Sequence, residues 1–256
     1  MTMMMTTHRF VRFLASVTSE AEARIAAAHG ADIIDCKNPS EGALGALPHS
    51  VVAAIRRAVP RQVPVSATIG DLPADPERVT QAARAMAASG CDIVKIGFFP
   101  GGDAGETIRR LGREIAAETR LVAVLLADAP LAPGIVSALE AAGFEGVMLD
   151  TAAKDGRTLL DHRSLDELGT FINEAHAAGL FAGLAGALSA AQIPGLAALG
   201  PDILGFRGAL CRGRDRTRAL DPDAVAAVRD ALAAATPTPA AEAGRPRASA
   251  AREPAA

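Results

Sequence analysis

The chain contains no tryptophan and no tyrosine, and eight phenylalanines are its whole aromatic content. Stacking platforms for nucleobases or sugar rings are built from aromatic side chains, so neither is expected. Positive charge is not in excess: 26 Lys+Arg stand against 29 Asp+Glu, and the net charge is −3. A nucleic-acid partner is therefore not expected. Cysteine is scarce and odd in number. Cys36, Cys91 and Cys211 lie far apart, which fits neither a disulfide framework nor a zinc-ligand spacing. They are expected to pack as small apolar residues in a reduced protein, with no metal and no cofactor. No apolar run approaches about 18 residues, and the stretch Met1 to Arg12 has no secretory hydrophobic region. These absences predict a soluble, cytoplasmic protein with no membrane partner; a homo-oligomer is compatible with them.

Lysine is the most informative scarcity. Of the 26 basic residues only Lys37, Lys95 and Lys154 are lysine, and the rest are arginine. A GC-rich genome explains an arginine excess without invoking function. The positions of the three lysines are less easily explained that way, because each closes or follows an apolar run: Ile33-Ile34-Asp35-Cys36-Lys37, Ile93-Val94-Lys95, and Val147-Met148-Leu149-Asp150 with Lys154 four residues on. Arginine supplies positive charge but cannot be deprotonated in practice, whereas a lysine can serve as a neutral nucleophile when burial lowers its pKa.

What is present is a repeating pattern. An Ala-rich helical stretch ends in Gly, a short polar link follows, and then a β-branched run begins. It occurs at Ala26 to Gly30, Met86 to Gly90, Leu139 to Gly143, His176 to Gly179 and Leu196 to Gly200. Glycine is the expected residue just past a helix, and helix–Gly–strand repetition marks βα units of a parallel sheet. Eight strands are predicted: Phe13–Val17, Asp32–Cys36, Val63–Ala67, Asp92–Ile96, Leu121–Leu126, Gly146–Leu149, Leu180–Leu184 and Ile203–Phe206. The intervening helices are predicted near Ser19–His29, Pro48–Val59, Pro76–Ser89, Ala104–Glu118, Pro133–Ala142, Ser164–Ala178, Ala190–Leu199 and Pro222–Ala234. Ser19 and Glu22 have capping-box spacing, and Pro76 and Pro222 each follow an Asp in N-cap position. Eight such units predict one (β/α)8 TIM barrel, class α/β, over residues 10–235. A doubly wound sheet is the rival, but Val17-Thr18-Ser19 is not the Gly-rich phosphate turn that usually opens one. From Thr236 to Ala256 the chain turns to Ala, Pro, Glu and Arg without hydrophobic periodicity, which predicts a disordered tail.

A barrel of this kind places its site at the C-terminal ends of the strands. The ionisable and polar residues falling there are Asp35 and Lys37; Ser66, Thr68 and Asp71; Lys95; Asp128; and Asp150 with Lys154. After the last two strands come Ala185-Gly186-Ala187, Arg207-Gly208 and the Arg212 to Arg216 run. Gly-containing loops with arginine are how barrels hold a phosphate. Asp35 and Lys37 are two residues apart, so they share one side of an extended chain. Lysines gathered in one apolar cavity lower one another's pKa, and a neutral lysine can attack a carbonyl to form an imine. The plainer alternative is that Asp35–Lys37 and Asp150–Lys154 are ion pairs bracing the rim. None of the five histidines, His8, His29, His49, His162 and His176, falls at a predicted strand end.

The segment Ala31-Asp32-Ile33-Ile34-Asp35-Cys36-Lys37-Asn38-Pro39-Ser40-Glu41-Gly42-Ala43-Leu44-Gly45-Ala46 resembles the ADIIDVKNPxEGSLGA stretch of the (5-formylfuran-3-yl)methyl phosphate synthase family of the methanofuran pathway. The likeness continues through Ser66 to Asp71, Asp92 to Gly97, Met148 to Gly156, Leu184 to Gly186 and Arg207 to Cys211, and it covers about residues 10 to 233. The resemblance implies a TIM-barrel lyase that joins two molecules of glyceraldehyde 3-phosphate, with loss of phosphate and water, into a furan aldehyde phosphate. It implies Lys37 as the Schiff-base lysine and Lys95 as the proton acceptor, supported by Asp35, Asp150 and Lys154. Substrate and phosphate contacts are expected from Ser66, Thr68, Asp71, Gly186, Arg207 and Gly208. Ala187 stands where the family is expected to carry Ser, and Arg212-Gly213-Arg214 replaces a Lys-Gly-Gly-like run, so phosphate binding is expected to differ in detail. A class I aldolase-like enzyme and a non-catalytic sugar-phosphate-binding barrel are the alternatives.

Overall fold

The computed structural model describes residues 10–153 and 155–235. Lys154, His8 and the tail expected from Thr236 lie outside the described residues. In chain order the elements are β1 (Arg12–Val17), α1 (Glu20–Ala28), β2 (Ile33–Cys36), α2 (His49–Ala58), β3 (Val65–Thr68), β4 (Pro73–Ala74), α3 (Pro76–Ala87), β5 (Ile93–Gly102) and α4 (Ala104–Glu114). There follow β6 (Arg120–Leu126), α5 (Ile135–Ala141), β7 (Gly146–Asp150), α6 (Leu165–Ala177), β8 (Phe181–Leu184), α7 (Ile193–Ala197), β9 (Ile203–Phe206) and α8 (Pro222–Ala235).

Each barrel strand pairs in parallel with its neighbours, β9 returns to β1, and β3 joins β5, so eight strands close on themselves. The expected eight-fold alternation holds, with two differences. The two-residue β4 is added, and β5 continues to Gly102 instead of ending at Ile96. The extension exists because Pro73 and Ala74 pair with its outer half.

Strand alternation sorts the apolar residues into two cores. Outward-facing residues such as Ile34, Val65, Val94, Leu121, Val147 and Leu204 pack under the helices. Inward-facing Leu14, Ile33, Ile93, Val122, Val124, Met148 and Ile203 fill the barrel. The filling needs a small residue opposite each long one. A Cβ on Gly183 would stand 2.6 Å from the Met148 side chain, so glycine there makes room for the methionine.

The polar links noticed in the repeat have one shared task at the N-terminal ends of the strands. Asp32, Asp92 and Asp202 each donate their own N–H to a carbonyl on the preceding strand, of Phe13, Val65 and Ala182 respectively. Each carboxylate then accepts the N–H of that same residue, at 2.8 Å in all three cases. A side chain from a helix completes each: Arg229 on Asp32, Arg56 on Asp92 and His176 on Asp202. The repeat Gly-x-Asp is therefore a strand-registering device on the face away from the site. It also accounts for His176, while His29 contacts the Ile25 carbonyl at 2.8 Å.

Helix starts follow the sequence closely. Asp75 Oδ1 accepts the Arg78 N–H at 2.8 Å ahead of Pro76, and Asp221 accepts the Asp223 N–H at 3.0 Å beside Pro222. The capping box expected at Ser19 and Glu22 is half formed. Ser19 Oγ accepts the Glu22 N–H at 3.3 Å, but the Glu22 carboxylate turns away to Thr18 and Arg207. A buried guanidinium outcompetes the weak N-cap amide for it.

Candidate active site

Strand β2 delivers the chemistry by simple alternation. Ile33 points into the barrel filling, and Asp35 and Lys37 continue the same face upward into an open cavity. The Lys37 N–H extends the ladder by donating to the Val17 carbonyl at 3.1 Å. Lys95 reaches the same cavity from the middle of β5, and Asp150 from the end of β7.

Four charges meet there in two pairs. Lys95 Nζ is 3.1 Å from Asp35 Oδ1, and Lys37 Nζ is 3.2 Å from Asp150 Oδ2. The brace considered from sequence, Lys37 with its neighbour Asp35, is replaced by pairs between different strands: Lys37–Asp150 crosses the barrel from β2 to β7, and Asp35–Lys95 spans β3 from β2 to β5. The reason is the shared face: two side chains leaving one strand in the same direction reach forward rather than toward each other.

Asp35 is fully buried. Ser66 donates its hydroxyl to Oδ1 at 2.7 Å, and Ser16 donates to Oδ2 at 2.9 Å. Burial pushes this carboxyl up, but Lys95, Lys37 and the Ser66 hydroxyl outweigh it and hold it below the ordinary aspartate value. It is thus a fixed anion, gripped on both oxygens. Asp150 also accepts the Thr151 N–H at 2.8 Å.

The cavity, about 430 Å³, is lined beyond these groups by Leu14, Gly186, Ala187 and Gly208, and by Arg157, Arg214 and Arg216. Two of its lining residues, Ala187 and Arg214, hold left-handed backbone angles, φ 50° and 60°. Such angles persist in residues with a Cβ only where the surroundings over-determine them. None of the described histidines lines it.

Several residues expected to contact substrate do something else. Ser66 serves Asp35, as above. Thr68 Oγ1 donates to the Gly45 carbonyl at 2.9 Å and is fully buried away from the cavity. Asp71 accepts the N–H groups of Ala43 and Leu44 at 2.8 and 2.6 Å. Its task is to fold the Gly-rich loop after β2 inward, so that Leu44 plugs the barrel. A Cβ on Gly97 would come within 2.5 Å of that leucine, and burying a leucine there is worth about 1.5–3 kcal/mol. Asp128 acts likewise after β6, accepting the N–H groups of Ala152 and Ala153 at 2.8 and 2.7 Å. Carboxylates occupy these two amide nests, so they are closed to phosphate.

Arg207 lines the cavity with its hydrogen-bonding capacity spent. Its Nε donates to the Arg216 carbonyl, Nη1 to the Ser16 carbonyl and Glu22, and Nη2 to Glu22 and the Arg218 carbonyl. A guanidinium has five N–H donors, and all five are committed. Gly186 and Gly208 do line the cavity. Ser16 was not singled out from sequence, although its place two residues after Leu14 on β1 puts it on the inward face.

The arrangement can hold an anionic substrate beside two lysine amines, each with a carboxylate partner. Comparison with known proteins shows the fold and the family. The chain resembles phosphoribosyl anthranilate isomerase from Thermus thermophilus with a TM-score of 0.63 over 88% of this chain and 99% of that one, at 15% identity. It resembles 3-hexulose-6-phosphate synthase with a TM-score of 0.56 over 86% and 99%, at 19% identity. Both show the barrel fold alone. In sequence it is 39% identical over 229 residues to (5-formylfuran-3-yl)methyl phosphate synthase of Methanocaldococcus jannaschii, spanning 85% of this chain and 97% of that protein. It is 42% identical over 234 residues to the protein of the same name from Methanopyrus kandleri, spanning 87% and 99%. The family model described as 4-HFC-P synthase matches residues 13–229. The chain belongs to the (5-formylfuran-3-yl)methyl phosphate synthase family.

Proposed function

We propose that this enzyme joins two molecules of glyceraldehyde 3-phosphate through an imine at Lys37, forming the furan precursor of methanofuran. The observation that carries the reading is the placement of Lys37 Nζ in the cavity beside Asp150, with the Lys95–Asp35 pair lining the same space.

The Lys37 ammonium first gives a proton to Asp150, 3.2 Å away, and the neutral amine then attacks the aldehyde carbon of the first triose. The hydroxyl of the resulting carbinolamine leaves as water. The imine makes the proton on the neighbouring carbon acidic. Lys95, left neutral by giving its proton to the departing hydroxyl, accepts that proton and again carries the charge that Asp35 balances 3.1 Å away. The enamine is then the carbon nucleophile toward the second triose. Loss of one phosphate and two waters in all converts two triose phosphates into one aromatic furan aldehyde phosphate, with no net oxidation or reduction. Lys154, by the resemblance, is a proposed further proton carrier.

Incubation with glyceraldehyde 3-phosphate tests the reading. A furan chromophore should appear with one inorganic phosphate released per furan. A hexose bisphosphate product, as an aldolase would give, contradicts it.

A further inference from the structure

The residue that would have been chosen to hold a substrate phosphate, Arg207, has no donor left to offer. Its five bonds run instead to Glu22, to the Ser16 carbonyl, and to two carbonyls of the loop between β9 and α8. Glu22 grips the same loop from the other side. Its Oε1 accepts the Leu220 N–H at 3.2 Å, and its Oε2 accepts the Thr18 N–H and hydroxyl at 2.8 and 3.0 Å. Burial raises the Glu22 carboxyl, but Arg207 and the Thr18 hydrogen bonds together outweigh it and hold it below the ordinary glutamate value. The ion pair is buried on both sides, with about 7% and 8% side-chain exposure. It therefore fixes three backbone points, Arg216, Arg218 and Leu220, within one loop.

What that loop presents is Arg216. Its carbonyl is held by Arg207, and its Nη2 donates to the Gly42 carbonyl at 2.7 Å, tying it to the loop after β2. Arg216 lines the cavity within electrostatic reach of Asp150, together with Arg214 in its left-handed conformation. Backbone held at this cost, next to an arginine lining a cavity with two lysines, has the form of an anion site assembled in advance.

We propose that Arg216 is the specificity-determining contact to a triose phosphate group, and that Glu22 and Arg207 are its positioning residues. The inference rests on the imine reading for its assay. Arg216 holds the phosphate while Lys37 meets the aldehyde, so the enzyme should discriminate glyceraldehyde 3-phosphate from glyceraldehyde chiefly through this side chain. A charge-assisted hydrogen bond contributes about 1.5–3 kcal/mol, which corresponds to roughly 10- to 100-fold.

The test is the rate of borohydride-trapped adduct formation at Lys37 with the two aldehydes. Arg216→Gln should slow trapping of glyceraldehyde 3-phosphate by about 10- to 100-fold and leave trapping of glyceraldehyde unchanged. Glu22→Gln should raise KM for glyceraldehyde 3-phosphate with a smaller effect on kcat. Adding Arg216→Gln to it should cost little more than Arg216→Gln alone, because the two act as one unit. Equal loss for both aldehydes in Arg216→Gln, or no loss for either, overturns the proposal. So do fully additive effects of the two substitutions. Absence of adduct with either aldehyde in the unmodified enzyme sinks the imine reading instead. Arg216 is half-buried and not part of the core, so its variant folds even where Glu22→Gln does not.

Discussion

Asp35 on β2 reaches past β3 to Lys95 on β5, Oδ1 to Nζ at 3.1 Å, although its nearest lysine along the chain is Lys37. The acid has no solvent exposure and the lysine is 4% exposed. Taking two charges out of water is costly, and their attraction repays this only with good geometry and further hydrogen bonds. Ser16 and Ser66 provide those bonds. The pair is expensive to keep for stability alone, which is the strongest physical reason to assign it to chemistry.

Removing one member of that pair leaves the other stranded. Asp35→Asn keeps the shape but removes the counter-charge of buried Lys95. Breaking a buried pair this way costs about 3–5 kcal/mol. The urea midpoint should fall accordingly, and turnover of the folded fraction should drop sharply. Unchanged stability with unchanged turnover would remove the pair from the account.

Acid should unfold the protein through carboxylates whose pKa is depressed in the folded state. Asp35 and Glu22 both lie below their ordinary values of 3.8 and 4.5, held there against burial by Lys95 and Lys37 in one case and by Arg207 in the other. A depressed folded pKa gives stability that is complete above the ordinary value and is lost as pH falls through the folded one. Stability should therefore be level near neutrality and decline below about pH 4.5. Glu22→Gln should lower the plateau and flatten part of that decline. A curve parallel to that of the unmodified protein at every pH would contradict the assignment.

The Asp92 device should matter for stability and not for turnover. Its carboxylate registers β3 against β5 through the Val65 N–H and pairs with Arg56, which is 7% exposed. Asp92→Ala should cost on the order of 3 kcal/mol, because it leaves a buried charge without its partner. Chemical denaturation measures this. The folded variant should keep its kcat, since the site lies at the opposite end of the strands.

The thiols should be inert in the native state. Burial raises Cys36 well above its ordinary value, raises Cys91, and pushes Cys211 up to about 11. The thiolate is the reactive form, so alkylation by iodoacetamide at pH 8 should be slow when folded and fast in denaturant. Rapid native labelling of Cys211 would show that its surroundings are misread.

The barrel was legible because helix–Gly–strand punctuation repeats at the period of the fold, and β2 was legible because a period of two put Asp35 and Lys37 on one face. The partners of these residues were not. Asp35–Lys95 spans 60 residues and Lys37–Asp150 spans 113, and no local pattern encodes which carboxylate a lysine meets across a closed barrel. Asp71, Thr68 and Arg207 were placed at the right end of the fold, but their hydrogen bonds to other parts of the chain could not be read from sequence. A polar residue at a strand end looks the same in sequence whether it faces the ligand or holds the loop that does. The Glu22–Arg207 pair shows the difficulty best, since 185 residues separate its members. The short β4 was missed because two residues, one of them proline, leave no periodicity to read.

The central claim is an imine on one named amine. Borohydride reduction in the presence of glyceraldehyde 3-phosphate, followed by peptide mapping, tests it directly. The account predicts the reduced triose phosphate mass on the peptide containing Lys37 and its loss, with all turnover, in Lys37→Arg. Full turnover by Lys37→Arg, or trapping confined to another residue, would contradict it.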